Sequence, residues 1–349
     1  MPEDVDIFTY ESGYADELHA LIESAFSAQP PHARPKDSTA YLDYMQGPSN
    51  PAGRAIVAAT RKDGVLTGNI SATPFHFTTR DGRTMTGYQL GSVVVGAQYQ
   101  REGIGGRLVR AITAHLDGIP DSFTYIYPNT RSEPVLRRNG YRPARDVPTY
   151  IHFPAYRSFF PGNRQDTRIV DRHLGAWSVS ICGLADALAI ATDWPDAPMP
   201  STGFTRGPGF FRWRFGGPGT ENRYRFAVCR REDGDDAFAL SIARHAFSGI
   251  RFAIPVDLLS QDPTRHFGLA LKAAQTIGGR DGERFVYVNS NIPRLKNPAT
   301  VSSDRPWGVP VPSLFNPRPV RLLYYPRDDL QLAEELDAGI AMTGDWMGF

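Results

Sequence analysis

One segment constrains this chain more than any other: Ser92-Val93-Val94-Val95-Gly96-Ala97-Gln98-Tyr99-Gln100-Arg101-Glu102-Gly103-Ile104-Gly105-Gly106-Arg107-Leu108. Consecutive β-branched residues predict a strand that runs straight into a glycine-rich turn, and the turn opens onto an amphipathic helix predicted over Ile104–Leu116. The first backbone N–H groups of such a helix have no internal partners, and they stand at the positive end of the helix dipole. They suit an anion such as a pyrophosphate. Gly103, Gly105 and Gly106 remove the side chains that would keep phosphate oxygens away from those donors.

The flanking sequence decides which kind of phosphate turn this is. A short opening strand is predicted at Val5–Tyr10 and a helix at Tyr14–Phe26, with a second helix capped by Ser38. Extended runs follow at Arg54–Thr60, Thr67–Thr79 and Thr84–Val95, punctuated by Asp63-Gly64 and Asp81-Gly82, which is the signature of an antiparallel meander. A Rossmann fingerprint would open a βαβ unit instead, and a P-loop would carry a Lys-Ser/Thr pair after its last glycine. After the helix come a strand at Ser122–Tyr127, a short helix around Ser132–Arg138 stopped by Gly140, and a closing strand at Thr149–Phe153.

The pattern Gln-x-x-Gly-x-Gly at Gln100–Gly105, preceded by Val-x-x-x-Tyr and followed by a helix, resembles motif A of the GNAT superfamily of acyl-CoA-dependent N-acyltransferases. Downstream, Asn129, Ser132, Arg138, Gly140 and Tyr141 match the family's next motif in register. The resemblance covers most of residues 5–153 and implies an α/β (α+β) GNAT fold, a mixed, mostly antiparallel sheet flanked by helices. It also implies that the backbone of Val93 and Val95 pairs with the pantetheine arm of acetyl-CoA or another acyl-CoA. The amides of Gln100, Arg101, Glu102, Gly103, Ile104, Gly105 and Gly106 would cradle the pyrophosphate, and Asn129 would lie beside the thiol. A strand edge splayed open after Val95 offers free N–H and C=O groups to such a ligand.

Two positions depart from the family. Many members carry an acidic Tyr where this chain has Leu136, and a Glu base where it has Gln89. Neither a leucine nor a neutral amide can perform the proton transfers that amide formation from a thioester requires. Other candidates are Tyr127, with Tyr125 and Tyr88 near it, and the C-terminal carboxylate of Phe349, since tandem GNAT enzymes such as N-myristoyltransferase use a terminal carboxylate as base. An amine of low pKa would need little help from a base.

The length of 349 residues predicts two domains. We place an acyl-CoA-binding domain at 1–153, a connector at 154–168, and a second, degenerate GNAT-like or other α/β domain at 169–349. The second half echoes the first. Phe123, Tyr125 and Asn129 recur as Phe285, Tyr287 and Asn291 about 160 residues later, and the same offset sets Phe267–Ile277 opposite the motif helix and Phe252–Leu258 opposite Leu90–Gly96. The offset also puts Asp262, Arg265, Phe267 and Gly268 where Gln100, Gly103, Gly105 and Gly106 stand, with Pro263 interrupting the turn, which argues against a second phosphate site. The aromatic run Phe210–Phe215 reads as a packed strand and Asp233–Asp236 as a solvated hairpin tip.

A net charge of +1 gives no general attraction to nucleic acid or an anionic membrane. Absence of a long apolar run and of a secretion signal points to a cytoplasmic protein. Two cysteines, Cys182 and Cys229, cannot build a thiolate zinc site, and the histidines show no metal spacing, so no metal is expected. The expected activity is transfer of a short acyl group from acyl-CoA to a primary amine of a small molecule by direct attack in a ternary complex. The alternatives are an aminoacyl- or acyl-carrier-dependent transferase and a non-catalytic CoA-binding or interaction protein. The oligomeric state is not written in the sequence.

Overall fold

The computed structural model describes residues 4–28, 38–147, 149–152, 168–171, 175–192, 194, 203–220, 223–234, 236–247, 250–280, 285–289, 308–310, 320–326, 334 and 336. The chain forms two units. The first comprises Met1–Arg145, Thr202–Thr205 and Arg321–Gly339, and the second comprises Asp146–Ser201, Arg206–Val320 and Ile340–Phe349.

In chain order the elements are β1 (Val5–Thr9), α1 (Tyr14–Phe26), α2 (Thr39–Gln46), β2 (Ile56–Lys62), β3 (Val65–Thr78), β4 (Thr84–Val95), α3 (Ile104–Asp117) and β5 (Ser122–Ile126). Then come α4 (Glu133–Arg138), β6 (Arg142–Val147), β7 (Thr149–His152), β8 (Arg168–Asp171), β9 (Gly175–Cys182), α5 (Leu184–Ala189), β10 (Gly203–Phe204) and α6 (Pro208–Phe215). The last are β11 (Tyr224–Arg231), β12 (Ala237–Phe247), β13 (Ile250–Leu259), α7 (Pro263–Arg280), β14 (Phe285–Asn289), β15 (Gly308–Pro310) and β16 (Val320–Tyr324).

The first sheet runs β1-β2-β3-β4-β5-β16-β6, with β10 paired to β3. Strands β1 to β4 pair antiparallel, and β5 joins β4 in parallel after the α3 crossover. Asp63 and Gly64 both take positive φ, the geometry that a tight β2–β3 turn demands. Successive β2 residues alternate between two cores: Val57 and Ala59 pack beside Leu18, Leu21 and Leu42, while Ala58 packs beside Leu108, Ile112 and Leu116. The sheet is therefore covered on both faces, by α1 and α2 on one and by α3 on the other. Gly68 of β3 brings α3 close, since a Cβ there would stand 2.7 Å from Ile104 Cγ2 and 3.0 Å from Leu108 Cδ1.

Strand β4 carries the feature that shapes the site. Asn69 pairs with Val94 but Ser71 pairs with Gly91, so β4 holds one extra residue and bulges there, with Ser92 at φ +47°. Pairing of β4 with β5 runs from Thr86–Ser122 to Gln89–Tyr125, and Leu323 and Tyr324 of β16 line the far side of β5. From Leu90 onward β4 has left β5, and the two strands form a fork.

The second sheet runs β15-β7-β14-β13-β12-β11-β9-β8. Its core is again two-sided: Phe238, Leu240 and Ile242 pack with α7, and Ala239 and Ala243 pack with Phe211 and Phe215 of α6. The order meander, crossover helix, parallel strand recurs as β11-β12-β13-α7-β14. A bulge recurs too, because Ser241 pairs with Asp257 while Ile242 pairs with Pro255. Asp257 is fully buried against Arg206, 2.8 Å from its Nε.

Two expectations change. The segment Phe210–Phe215 is helical, because Pro208 opens a turn in which Phe211 and Phe215 meet edge-to-face one turn apart with ring centroids at 4.7 Å. The strand at Thr149–His152 does not close the first sheet; it pairs with β14 and β15 in the second. Its place beside β5 is taken by β16, a strand from the far end of the chain. The connector 154–168 lies outside the described residues apart from Arg168, as do Asn291 and Phe349.

Candidate active site

The turn between β4 and α3 owes its shape to two left-handed residues, Arg101 at φ +73° and Gly103 at φ +78°. Gly103 caps α3 and pays no steric cost there, whereas Arg101 carries about 1–2 kcal/mol of strain. Strain held at a glycine turn beside a cavity is a mark of a functional site. The cavity that opens at this turn measures about 900 Å³. It is lined by Val93, Val95, Gln100, Arg101, Gly103, Ile104, Gly105, Gly106 and Asn129, that is, by every residue expected at the donor site except Glu102. The Glu102 carbonyl instead accepts a bond from Arg107 Nη1 at 3.2 Å.

Asn129 stands at the end of this cavity formed by the β5–α4 connection. Its Oδ1 accepts from the N–H groups of Arg131 and Ser132, both at 2.9 Å, and so caps the turn that starts α4. The oxygen is thereby occupied, which leaves the amide NH2 as the group Asn129 has for a ligand. Leu136, at the position where a proton donor was sought, lines the cavity as a buried apolar core residue that has no proton to give.

The remaining sequence candidates lie elsewhere. Gln89 and Tyr125 face each other at the last paired position of β4 and β5, the apex of the fork, and neither lines the cavity. Tyr127 packs against the aromatic cluster of Phe77, Phe123 and Tyr125 and is outside the lining. Burial pushes the Tyr88 hydroxyl above its ordinary range. Phe349 lies outside the described residues.

Sequence reading missed the charge of the lining. Arg101, Arg110, Arg131 and Arg138 all border the cavity, and among the described residues no Asp or Glu does. Arg110 reaches Asn139 Oδ1 at 3.3 Å and Arg138 the Pro134 carbonyl at 3.1 Å, so their partners are neutral. A chain with a net charge of only +1 thus gathers its surplus at one mouth, where it favours a multiply charged anion. The arginines were visible in the sequence, but the scarcity of carboxylates around them was not.

Two chemistries find no support among the described residues. No group of three or more His, Cys, Asp or Glu side chains could hold a metal ion there. Burial pushes the thiols of Cys182 and Cys229 up, away from the reactive thiolate, and both lie on second-unit strands. No helix among the described residues is long and apolar enough to cross a membrane.

The model of the GNAT acetyltransferase domain matches residues 6–144. No curated protein matches the sequence. Among solved structures, a conserved protein of Enterococcus faecalis V583, a probable N-acyltransferase, is similar over 92% of this chain and 72% of its own, with 15% identity and a TM-score of 0.58. A GCN5-related N-acetyltransferase from Anabaena variabilis ATCC 29413 covers the same shares at 12% identity and a TM-score of 0.54. Saccharomyces cerevisiae N-myristoyltransferase with bound myristoyl-CoA is similar over 82% of this chain and 73% of its own, at 9% identity and a TM-score of 0.50. Likeness at these identities is likeness of fold, and it agrees with the family match, the glycine turn and the fork. Residues 6–144 of the chain therefore carry a GNAT acetyltransferase domain.

Proposed function

We propose that this enzyme transfers an acetyl or other short acyl group from acyl-CoA to a primary amine of a small molecule. The observation that carries the reading is the union of three features in one cavity: the glycine turn at the start of α3, the edge of β4 beyond its pairing with β5 at Gln89, and a rim of four arginines with no carboxylate among the described lining residues. Each matches a different part of acyl-CoA. Backbone N–H groups of the turn suit the pyrophosphate, the strand edge suits the amides of the pantetheine arm, and the arginines suit the phosphates at large. The bound myristoyl-CoA of the yeast enzyme supports an acyl-CoA donor for this fold.

In the reaction, the neutral amine nitrogen attacks the thioester carbonyl, a C–N bond forms, and the tetrahedral intermediate expels the CoA sulfur. The nitrogen loses a proton and the thiolate gains one. We assign the proton donated to sulfur to Tyr127, two residues before Asn129. Gln89 can hydrogen-bond at the apex but take no proton. The second unit repeats the strand–helix–strand order of the first, and we read it as a degenerate duplicate of that domain. Consumption of acetyl-CoA across a panel of small amines tests the reading: turnover with at least one amine supports it, whereas CoA binding without turnover of any amine would leave a binding protein.

A further inference from the structure

Asn69 is fully buried on β3 and belongs to neither sequence motif. Its Oδ1 accepts from the Tyr14 hydroxyl at 2.8 Å, and its Nδ2 donates to the Ser92 carbonyl at 2.8 Å, with a longer contact to Ser71 Oγ at 3.3 Å. The partners fix the amide's orientation, since a carbonyl can only accept and a hydroxyl can donate. Burial holds the Tyr14 phenol in its protonated, donating form.

Ser92 is the bulge residue held at φ +47°, a conformation that a non-glycine residue keeps only when its surroundings impose it. The bulge separates two functional stretches of β4: up to Gln89 the strand is paired with β5, and from Val93 it lines the cavity. At its other end the network is anchored in α1, and two residues of that helix's last turn, Ala25 and Phe26, line the same cavity. One buried amide therefore ties the helix on one side of the cavity to the strand on the other.

We infer that Asn69 is a positioning residue for donor recognition: anchored by Tyr14, it sets where the backbone of Val93–Val95 presents itself to the arm of the donor. The inference rests on the acyl-CoA reading above. It predicts a selective defect, because the glycine turn that receives the phosphates lies beyond the bulge and keeps its own geometry.

Calorimetry on the full chain with two probes tests this. CoA carries the arm, and 3′-phosphoadenosine 5′-diphosphate is the same nucleotide without it. Asn69→Ala weakens CoA about ten-fold or more and leaves the nucleotide within about two-fold of wild type. Tyr14→Phe, the gentler change, weakens CoA by about two- to five-fold with the same selectivity. A purely structural role would lower the melting temperature and leave the ratio of the two affinities unchanged, and that result in both variants overturns the inference. A wild-type chain that binds neither probe overturns the donor site itself.

Discussion

The hydroxyl of Ser260 and Nδ1 of His266 lie 2.7 Å apart, both fully buried, at the start of α7 in the second unit. Asp236 Oδ2 stands 3.1 Å from Nε2 of the same ring, so the imidazole bridges the carboxylate and the serine hydroxyl. The Ser260 oxygen in turn accepts the N–H of Asp262 at 3.0 Å, and the ring stacks on Phe238 with centroids at 4.8 Å. The helix start that corresponds to the phosphate turn of the first unit is thus occupied by the protein's own side chains. We expect calorimetry to show one CoA per chain. His266→Ala, which removes a buried ring packed on Phe238 and Trp177 together with its bonds to Ser260 and Asp236, should lower the unfolding free energy by about 2–4 kcal/mol while leaving CoA affinity unchanged.

The first-unit turn behaves in the opposite way. A Cβ at Gly105 would meet only Val95 Cγ2, at 4.0 Å, so protein packing does not demand a glycine there. Gly105→Glu should fold with a near-native melting temperature and lose CoA affinity about 100-fold or more, through clash and repulsion with phosphate. Gly103→Asp adds left-handed strain of about 1 kcal/mol to the same repulsion. Unchanged affinity in either folded variant would refute the donor-site assignment.

Arg101, Arg110, Arg131 and Arg138 set a preference within the donor class. With no carboxylate among the described lining residues, each adds attraction to phosphate that salt screens. CoA should bind more tightly than dephospho-CoA, and the gap should narrow as ionic strength rises. Arg138→Ala should shrink the preference further. Equal affinity for both ligands at low salt would remove the rim from donor recognition.

Tyr127→Phe measures the assigned proton donor. Loss of the hydroxyl should reduce kcat about 10- to 100-fold and leave CoA affinity within two-fold, because the ring remains packed on Phe123 and Tyr125. If kcat is retained, the thiolate takes its proton from water or from the amine.

Glu133 binds two arginines through one oxygen, Arg137 Nε at 2.8 Å and Arg321 Nη1 at 3.0 Å, and so ties α4 to β16. The bond from Arg137, helped by Arg321, holds its carboxyl below the ordinary range. A depressed folded pKa means that this stabilisation is complete above the unfolded value of about 4.3 and is lost as pH falls through the folded one. Melting temperature should therefore drop below about pH 4 more steeply in wild type than in Glu133→Gln, and parallel profiles would show that the tie contributes nothing.

Local chemistry made the glycine turn and its flanking strand and helix readable in the sequence. A β-branched run, glycines where φ turns positive and a 3.6-residue apolar period specify strand, turn and helix within a few neighbours, as Val93–Leu108 shows. Asp63-Gly64 likewise announced its turn. By contrast, Thr149–His152 and Val320–Tyr324 were each legible at most as strands, because alternation states which faces are apolar and says nothing about which edge will be met. Only the tertiary structure assigned the first to the second sheet and the second to the place beside β5. It also brought Asn69 to Ser92 and Tyr14, residues separated by 23 and 55 positions, since a buried amide finds its partners by packing and not by proximity in the chain. The sequence by itself determined a glycine turn on a strand–helix frame; the fold decided what holds that frame open, because long-range pairing carries no local code.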